Sequence, residues 1–308
     1  MVNFGGWRAC TLAAMSDWTG VAGKRVIITG ATSGIGLAAA KDLARLGAEL
    51  TIVARAPQRA DNAVAQISPS APSAAPVDVL IADMASQVEV RRVAAEILQR
   101  YGRVQVLINN AGAIYSSRQV SPDGVELTWA VNHLAPFLLT TLLLERLESS
   151  APARVVTTAS AAHRRARIPF DDLQAERSYR ALGYARYGET KLANILFTAE
   201  LARRLAGTGV TANCFHPGFV ASAFNLNNGR LMRVAMRIGH PFARSPERGA
   251  ETLVWLADSP EVANISGGYF VDKRLERPSS AAQDIDAARR LWQVSETSLA
   301  RSRASREQ

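Results

Sequence analysis

Two hydrophobic rhythms alternate along this chain. Short unbroken apolar runs, rich in β-branched residues, are separated by longer segments in which apolar positions recur every three or four residues. Arg25-Val-Ile-Ile-Thr29 is the first such run, and Ile35 to Leu46 carries helical spacing that stops at Gly47, a residue suited to the C′ position. Leu50 to Ala54 and Val77 to Ala82 predict the second and third strands, with the Pro/Ser/Ala-rich piece Ser68 to Pro76 as the loop between them. Gln87 to Arg100 reads as a helix leading to a strand over Val104 to Ile108. Ser121-Pro122 has the form of an N-cap followed by proline at the first helical position, which predicts a long helix to about Leu147. Arg154 to Thr158, Val210 to Cys214 and Gly268 to Val271 supply three more strands. Tyr184 to Leu205, and a segment capped by Ser245-Pro246 and running to about Ala257, supply two more helices.

Strands that are apolar throughout, each followed by a helix, belong to a parallel sheet covered on both faces. The pattern predicts an α/β fold: one Rossmann-type, doubly wound sheet of about seven strands in a single domain. No repeat or linker divides it. The expected organisation is an extension over residues 1–23, a domain over 24–272 and a tail over 273–308, with Met15 as an alternative start.

Composition narrows the function classes. A length of 308 residues suits one large α/β unit, and 48% hydrophobic with 20% charged residues excludes a disordered chain. Two cysteines, Cys10 and Cys214, cannot make a disulfide scaffold, so a cytoplasmic location is expected. They and the four histidines lack ligand spacing, so no metal is expected. The net charge of +9 raises the question of nucleic acid. Its clusters, such as Arg164-Arg165-Ala166-Arg167, are short and have no aromatic residues interleaved for stacking, so they read as solvated surface. Leu127 to Leu144 lacks formal charge but contains Asn132, His133 and Pro136, which favours a buried helix or subunit contact over a membrane span. The residues before Ser16 make a poor signal peptide.

Candidate chemistry begins at Thr29-Gly-Ala-Thr-Ser-Gly-Ile-Gly36, between the first strand and the first helix. Gly30 permits a tight turn, Gly34 lets backbone approach a pyrophosphate, and Gly36 allows close helix–strand packing, with Thr32, Ser33 and Ile35 completing the loop. The second strand ends in Ala54-Arg55, where an NAD-binding fold would carry an acid. A guanidinium there suits a 2′-phosphate, so NADP(H) is expected over NAD(H), with Arg59 as a helper.

Tyr187-Gly-Glu-Thr-Lys191 sets a phenol and an ammonium one helical turn apart. A nearby cation favours phenolate, so Lys191 would bring Tyr187 toward a working range for proton transfer. The same spacing also serves a solvated helix face. Ser160, just past the fifth strand, stands where a hydroxyl can hold a carbonyl oxygen, or simply where a turn needs a serine. Asn132, in an apolar stretch, requires partners once buried.

The three-residue gap between the first two glycines, with the motifs that follow in order, resembles the short-chain dehydrogenase/reductase family. The resemblance covers about Lys24 to Asp272. It implies an adenine contact at Asp83 and the adjacent Met84, and a matching Asn109-Asn110-Ala111-Gly112 segment. It implies that Ser160, Tyr187 and Lys191 are catalytic and that Asn132 holds a water in a relay with Lys191. Pro217, Gly218 and Val220 would grip the nicotinamide carboxamide, with Ser222 where threonine is usual. Residues 219–245, containing Phe224, Leu226, Met232 and Phe242, would form a substrate lid, although such a run also packs as an ordinary helix. His163 and His216 take local structural roles, because the Tyr–Lys pair already supplies the proton chemistry.

Ala159-Ser160-Ala-Ala-His163, Tyr187-Gly-Glu-Thr-Lys191-Leu-Ala-Asn194 and Leu291-Trp292-Gln-Val-Ser295 resemble the retinol-dehydrogenase-like branch. That branch often carries an N-terminal membrane anchor, and none is read here. Family members pair two long helices across a two-fold axis, which implies a homodimer or homotetramer through Leu127–Leu147 and Tyr184–Leu205. The expected activity is NADP(H)-dependent interconversion of an apolar carbonyl and its alcohol. The alternatives are an NAD-linked alcohol dehydrogenase, a cofactor-sensing regulator without turnover, and a nucleic-acid binder with strongly salt-dependent affinity.

Overall fold

The apolar runs do become strands. In the computed structural model, which describes residues 10–11, 17–71, 76–220 and 243–304, Cys10–Thr11 is β1 and pairs only with β8 (Ile265–Ser266). The main sheet has eight strands in the order β10-β9-β7-β6-β5-β2-β3-β4. These are β2 (Arg25–Thr29), β3 (Glu49–Ala54), β4 (Asp78–Ile81), β5 (Val106–Asn109), β6 (Ala153–Thr158), β7 (Val210–His216), β9 (Tyr269–Val271) and β10 (Arg274–Leu275). Seven are parallel, as expected, and the two-residue β10 adds an antiparallel edge that the sequence pattern did not predict.

Alternation within the buried strands divides the core. Val26 and Ile28 of β2 join Leu50 and Ile52 of β3 on the face covered by α1 (Gly34–Arg45) and by α8 (Pro246–Asp258), once α2 (Pro57–Ile67) is set beside α1. Ile27, Leu107 and Val155 face the other way, under α3 (Gln87–Arg100) and the helices of the second half. Gly47 holds its left-handed place after α1, at φ +83°. Ser245 caps α8, its hydroxyl accepting from Arg248 N at 3.3 Å.

The expected long helix from Ser121 is corrected. Ser121 Oγ accepts from Asp123 N and Val125 N in a turn, and the helix is started instead by the Glu126 carboxylate. That carboxylate accepts from Thr128 N at 2.9 Å and Trp129 N at 2.8 Å. From there run α4 (Leu127–Trp129), a π-helical turn (Ala130–Leu134), α5 (Ala135–Leu142) and α6 (Leu144–Ser149). Pro136, which has no N–H to donate, sits where the π turn returns to α.

The partner helix α7 (Tyr184–Arg204) is buried nearly all round, because α9 (Ile285–Ala304) lies over it. Trp292 of α9 meets Phe137 edge-on at 4.8 Å and stacks on Phe197 at 5.9 Å, and Arg204 covers its other side at 4.0 Å. Of the two helices expected to pair between subunits, α7 and the Phe137 side of α5 thus have this partner within the chain. Residues after Asp272, read as a tail, build this cover. At the opposite end Trp18 donates from Nε1 to Asp258 O at 2.7 Å and packs under Arg154.

Candidate active site

The carboxyl ends of β2, β3, β5, β6 and β7 open into a cavity of about 610 Å³, within the range of small-molecule sites. Its first wall is the glycine loop, with Gly30, Thr32, Ser33, Gly34, Ile35 and Gly36 all lining it. Gly30 has φ +71°, a left-handed value that favours glycine. A Cβ on Gly36 would meet Gly30 O at 2.2 Å and the Asn110 amide at 2.5 Å, so only glycine lets α1 start this close to β2.

Asn110 joins three loops. Its Nδ2 donates to the carbonyls of Thr29 and Gly30 at 3.1 Å, and its Oδ1 accepts from Thr158 Oγ1 at 3.3 Å. Ala111 and Gly112 continue this wall. Asn109 does not. Its side chain turns away and donates to Thr140 Oγ1 on α5, because alternation in β5 directs it to the opposite face.

Arg55 and Arg59 line the far end of the cavity and are exposed. Asp83 and Met84 stand beside them, with Asp83 Oδ1 accepting from Ala85 N at 2.9 Å. Pro217, Gly218 and Val220 line the opposite side, while Ser222 and most of the expected lid lie outside the described residues.

Ser160, Tyr187 and Lys191 converge at the inner end. Ser160 begins a 3₁₀ turn (Ala161–Arg165), its hydroxyl accepting from Ala162 N at 3.2 Å. His163 Nδ1 bonds Ser160 O at 2.6 Å, and its Nε2 accepts from Ser279 N at 3.1 Å. This ring is therefore the neutral Nδ1–H form, bracing the serine loop against the segment before α9. Tyr187 lies on α7 with the Lys191 Nζ 5.4 Å from its ring centre. The ammonium, 2% exposed, donates to Thr158 O at 2.9 Å.

Burial acts on the Tyr–Lys pair against the expected lowering of the phenol's pKa. Burial pushes Tyr187 up, opposed by its hydrogen bond with Ser160, and the same burial pulls Lys191 down to about 8. Asn132 is buried in the π turn, clear of the cavity wall. Its Oδ1 accepts from Ala113 N at 2.7 Å, and its Nδ2 donates to Ala113 O and Thr190 Oγ1. It bridges the β5 loop to α7 one residue from Lys191.

Sequence reasoning missed several wall residues. Tyr115, Val131 and Tyr184 give the inner end an apolar surface, joined by Phe219 at the start of the expected lid, and Tyr184 and Phe219 are themselves exposed. It also missed the buried ion pair behind Tyr187. Arg186 Nε meets Glu126 Oε2 at 2.7 Å, and its guanidinium lies over Trp129. Neither feature has a local motif.

A family model for short chain dehydrogenases matches residues 24–172. The chain is 42% identical over 294 residues to retinol dehydrogenase 14 of Homo sapiens, covering 89% of this chain and 85% of that protein. It is 41% identical over 279 residues to a Streptomyces sp. (strain C5) protein named as a candidate daunorubicin C-13 ketoreductase, covering 90% and 92% respectively. Among solved structures it is similar to a short-chain dehydrogenase of Burkholderia cenocepacia in complex with NADP. The TM-score is 0.65 at 26% identity, covering 86% of this chain and 99% of that one.

Proposed function

The chain belongs to the short-chain dehydrogenase/reductase family, in its retinol-dehydrogenase-like branch, and from that we propose that it uses NADP(H) to interconvert an apolar aldehyde or ketone with its alcohol. The observation that carries this reading is the two-ended cavity. A glycine loop and two guanidiniums stand at one end, and a serine, a tyrosine and a lysine at the other.

The residues present fit a nicotinamide dinucleotide. The close Gly30–Gly36 approach leaves backbone N–H groups for a pyrophosphate, and Arg55 with Arg59 offers forks for a 2′-phosphate. Pro217, Gly218 and Val220 would hold the nicotinamide end. Bound there, the cofactor supplies or accepts the hydride, and in its oxidised form adds positive charge. Ser160 Oγ orients the substrate oxygen. Tyr187 Oη gives that oxygen a proton in reduction and takes it back in oxidation. Lys191 holds the phenol from below while anchored on Thr158 O, and Asn132 fixes the loop and helix between which a proton would pass to solvent. Positioning, rather than a covalent intermediate, does the work. Tyr115, Val131, Tyr184 and Phe219 favour an apolar substrate body.

Cys214, a buried free thiol, is in keeping with the proposed cytoplasmic setting. Among the described residues no helix is long and apolar enough to cross a membrane.

A screen of aldehydes, ketones and alcohols against both nicotinamides, with light scattering at micromolar concentration, tests this. The expected result is NADPH-linked reduction of apolar carbonyls by a homodimer or homotetramer. Nucleotide binding without turnover on any substrate would favour the regulator, and equal use of NADH would remove the 2′-phosphate assignment.

A further inference from the structure

Directly behind Lys191 the protein buries polar groups that the proposed chemistry does not use. Asn194, 2% exposed, lies three residues beyond Lys191 and so on the same side of α7. Its Nδ2 donates to Thr158 O at 3.2 Å, the carbonyl that Lys191 Nζ reaches at 2.9 Å. Two donors of the same helix thus converge on one oxygen, two residues before Ser160.

Asn194 is in turn backed by His133. This ring is completely buried between Trp129, 4.7 Å away, and Phe137 and Phe197, 6.2 and 6.5 Å away. Its Nε2 bonds Ser295 Oγ of α9 at 2.9 Å. On the other side the Asn194 side chain acts on the ring, favouring its protonated form, although burial outweighs this and pulls His133 to about 3. Nδ1 of His133 and Oδ1 of Asn194 are left without a hydrogen bond. Each such buried polar atom costs the fold free energy, because it has left water without a hydrogen bond in return. Among the described residues no carboxylate pairs with Lys191, and Tyr187 is the titratable group against it.

We propose that Asn194, backed by His133 and by Ser295 of α9, is a positioning residue for Lys191. By sharing the Thr158 carbonyl it fixes where the ammonium lies and ties Lys191 to the strand end that carries Ser160. Its amide is also a polar neighbour in surroundings whose burial already disfavours the charge. An apolar side chain in its place lowers the pKa of Lys191 further, and an anion raises it. The inference rests on the catalytic reading of Lys191, but its first readout does not.

The chain has four lysines, Lys24, Lys41, Lys191 and Lys273, so each can be followed by NMR with lysine labelled at the ε carbon. In the full chain, Asn194→Leu moves the Lys191 midpoint down from about 8. The shift is at least about half a pH unit, the scale of changing one polar neighbour of a buried charge, and Lys41 and Lys273 stay fixed. Asn194→Asp, which keeps the shape and replaces the donor by an anion, moves it the other way, up. Ser295→Ala moves it in the direction of Asn194→Leu by less, and serves if the Asn194 variants do not fold. Turnover by Asn194→Leu falls on the order of ten- to hundredfold, as for a catalytic group displaced by about 1 Å, with nucleotide affinity retained. An unmoved Lys191 midpoint in folded variants overturns the proposal, as does unchanged turnover. A wild type without redox activity whose Lys191 still moves overturns the enzymatic reading and supports this one.

Discussion

The two ends of the cavity hold their charges under opposite conditions. At the phosphate end Arg55 and Arg59 stand in solvent, on the first residue after β3 and the first turn of α2. At the catalytic end Lys191 and His133 are buried, and Tyr187 and His216 are displaced from their ordinary titration by burial. Water and salt moderate what an exposed guanidinium does, so that end can be retuned by one or two substitutions. The buried groups take their properties from what packs on them, and changes there reach the chemistry or the fold.

The largest expected effect tests whether the buried end carries the reaction. Tyr187→Phe removes only the phenol oxygen, and turnover should fall on the order of 10²–10⁴-fold, the usual range for a proton-transfer group. Nucleotide dissociation constants from fluorescence titration should stay near wild type. Substantial turnover in this variant would move the chemistry elsewhere in the cavity.

Next in size is a dependence of stability on pH to which this end contributes through its buried imidazoles. Burial holds His133 at about 3 and His216 at about 4, and pulls His163 below its ordinary value. As pH falls below about 6.5 the unfolded imidazoles take up protons that the folded ones refuse. The unfolded state then binds more protons, so stability falls with pH from about 6.5 toward 4. Urea midpoints at several pH values should show the decline, and His133→Phe should flatten part of it. A midpoint constant over that window would mean these rings are hydrated in solution.

The smallest effect should come from the exposed end. Ala54→Asp combined with Arg55→Ala removes a charged hydrogen bond to phosphate, worth about 1.5–3 kcal/mol, or roughly ten- to hundredfold in NADPH affinity. Part of the attraction should fade as salt is raised. A double variant that keeps its preference for NADPH over NADH would make Arg55 a surface residue and collapse the contrast.

This asymmetry also governs what the sequence made legible. The phosphate end is built by contiguous residues, so Thr29 to Gly36 and Ala54-Arg55 could be read as they stand. Tyr187 and Lys191 were legible for the same reason, since a single helical turn relates them. The supports of the catalytic end were not. Glu126, rather than Ser121, starts the helix because its carboxylate also meets Arg186, 60 residues away. Asn109 looked like a wall residue until the pleat of β5 directed it toward Thr140. Asn132 was marked as important, but its partners Ala113 and Thr190 come from two distant segments. The helix over Ile285–Ala304 was read as a tail, because its apolar positions gain meaning only against Phe137 and Phe197.

That helix also has a consequence in time. Its residues are synthesised after everything they cover. At about 5–20 residues per second, the interval between Phe197 and Trp292 is roughly 5–20 s of elongation. Within it α8 (Pro246–Asp258) is made first and completes the cover of the glycine loop and first strands. The groove beside Phe137 and Phe197 stays open to solvent, and His133 lacks Ser295. Lys191 acquires its final electrostatic surroundings only when residues 285–304 arrive, so the phosphate end is complete while the proton-handling end still waits on translation.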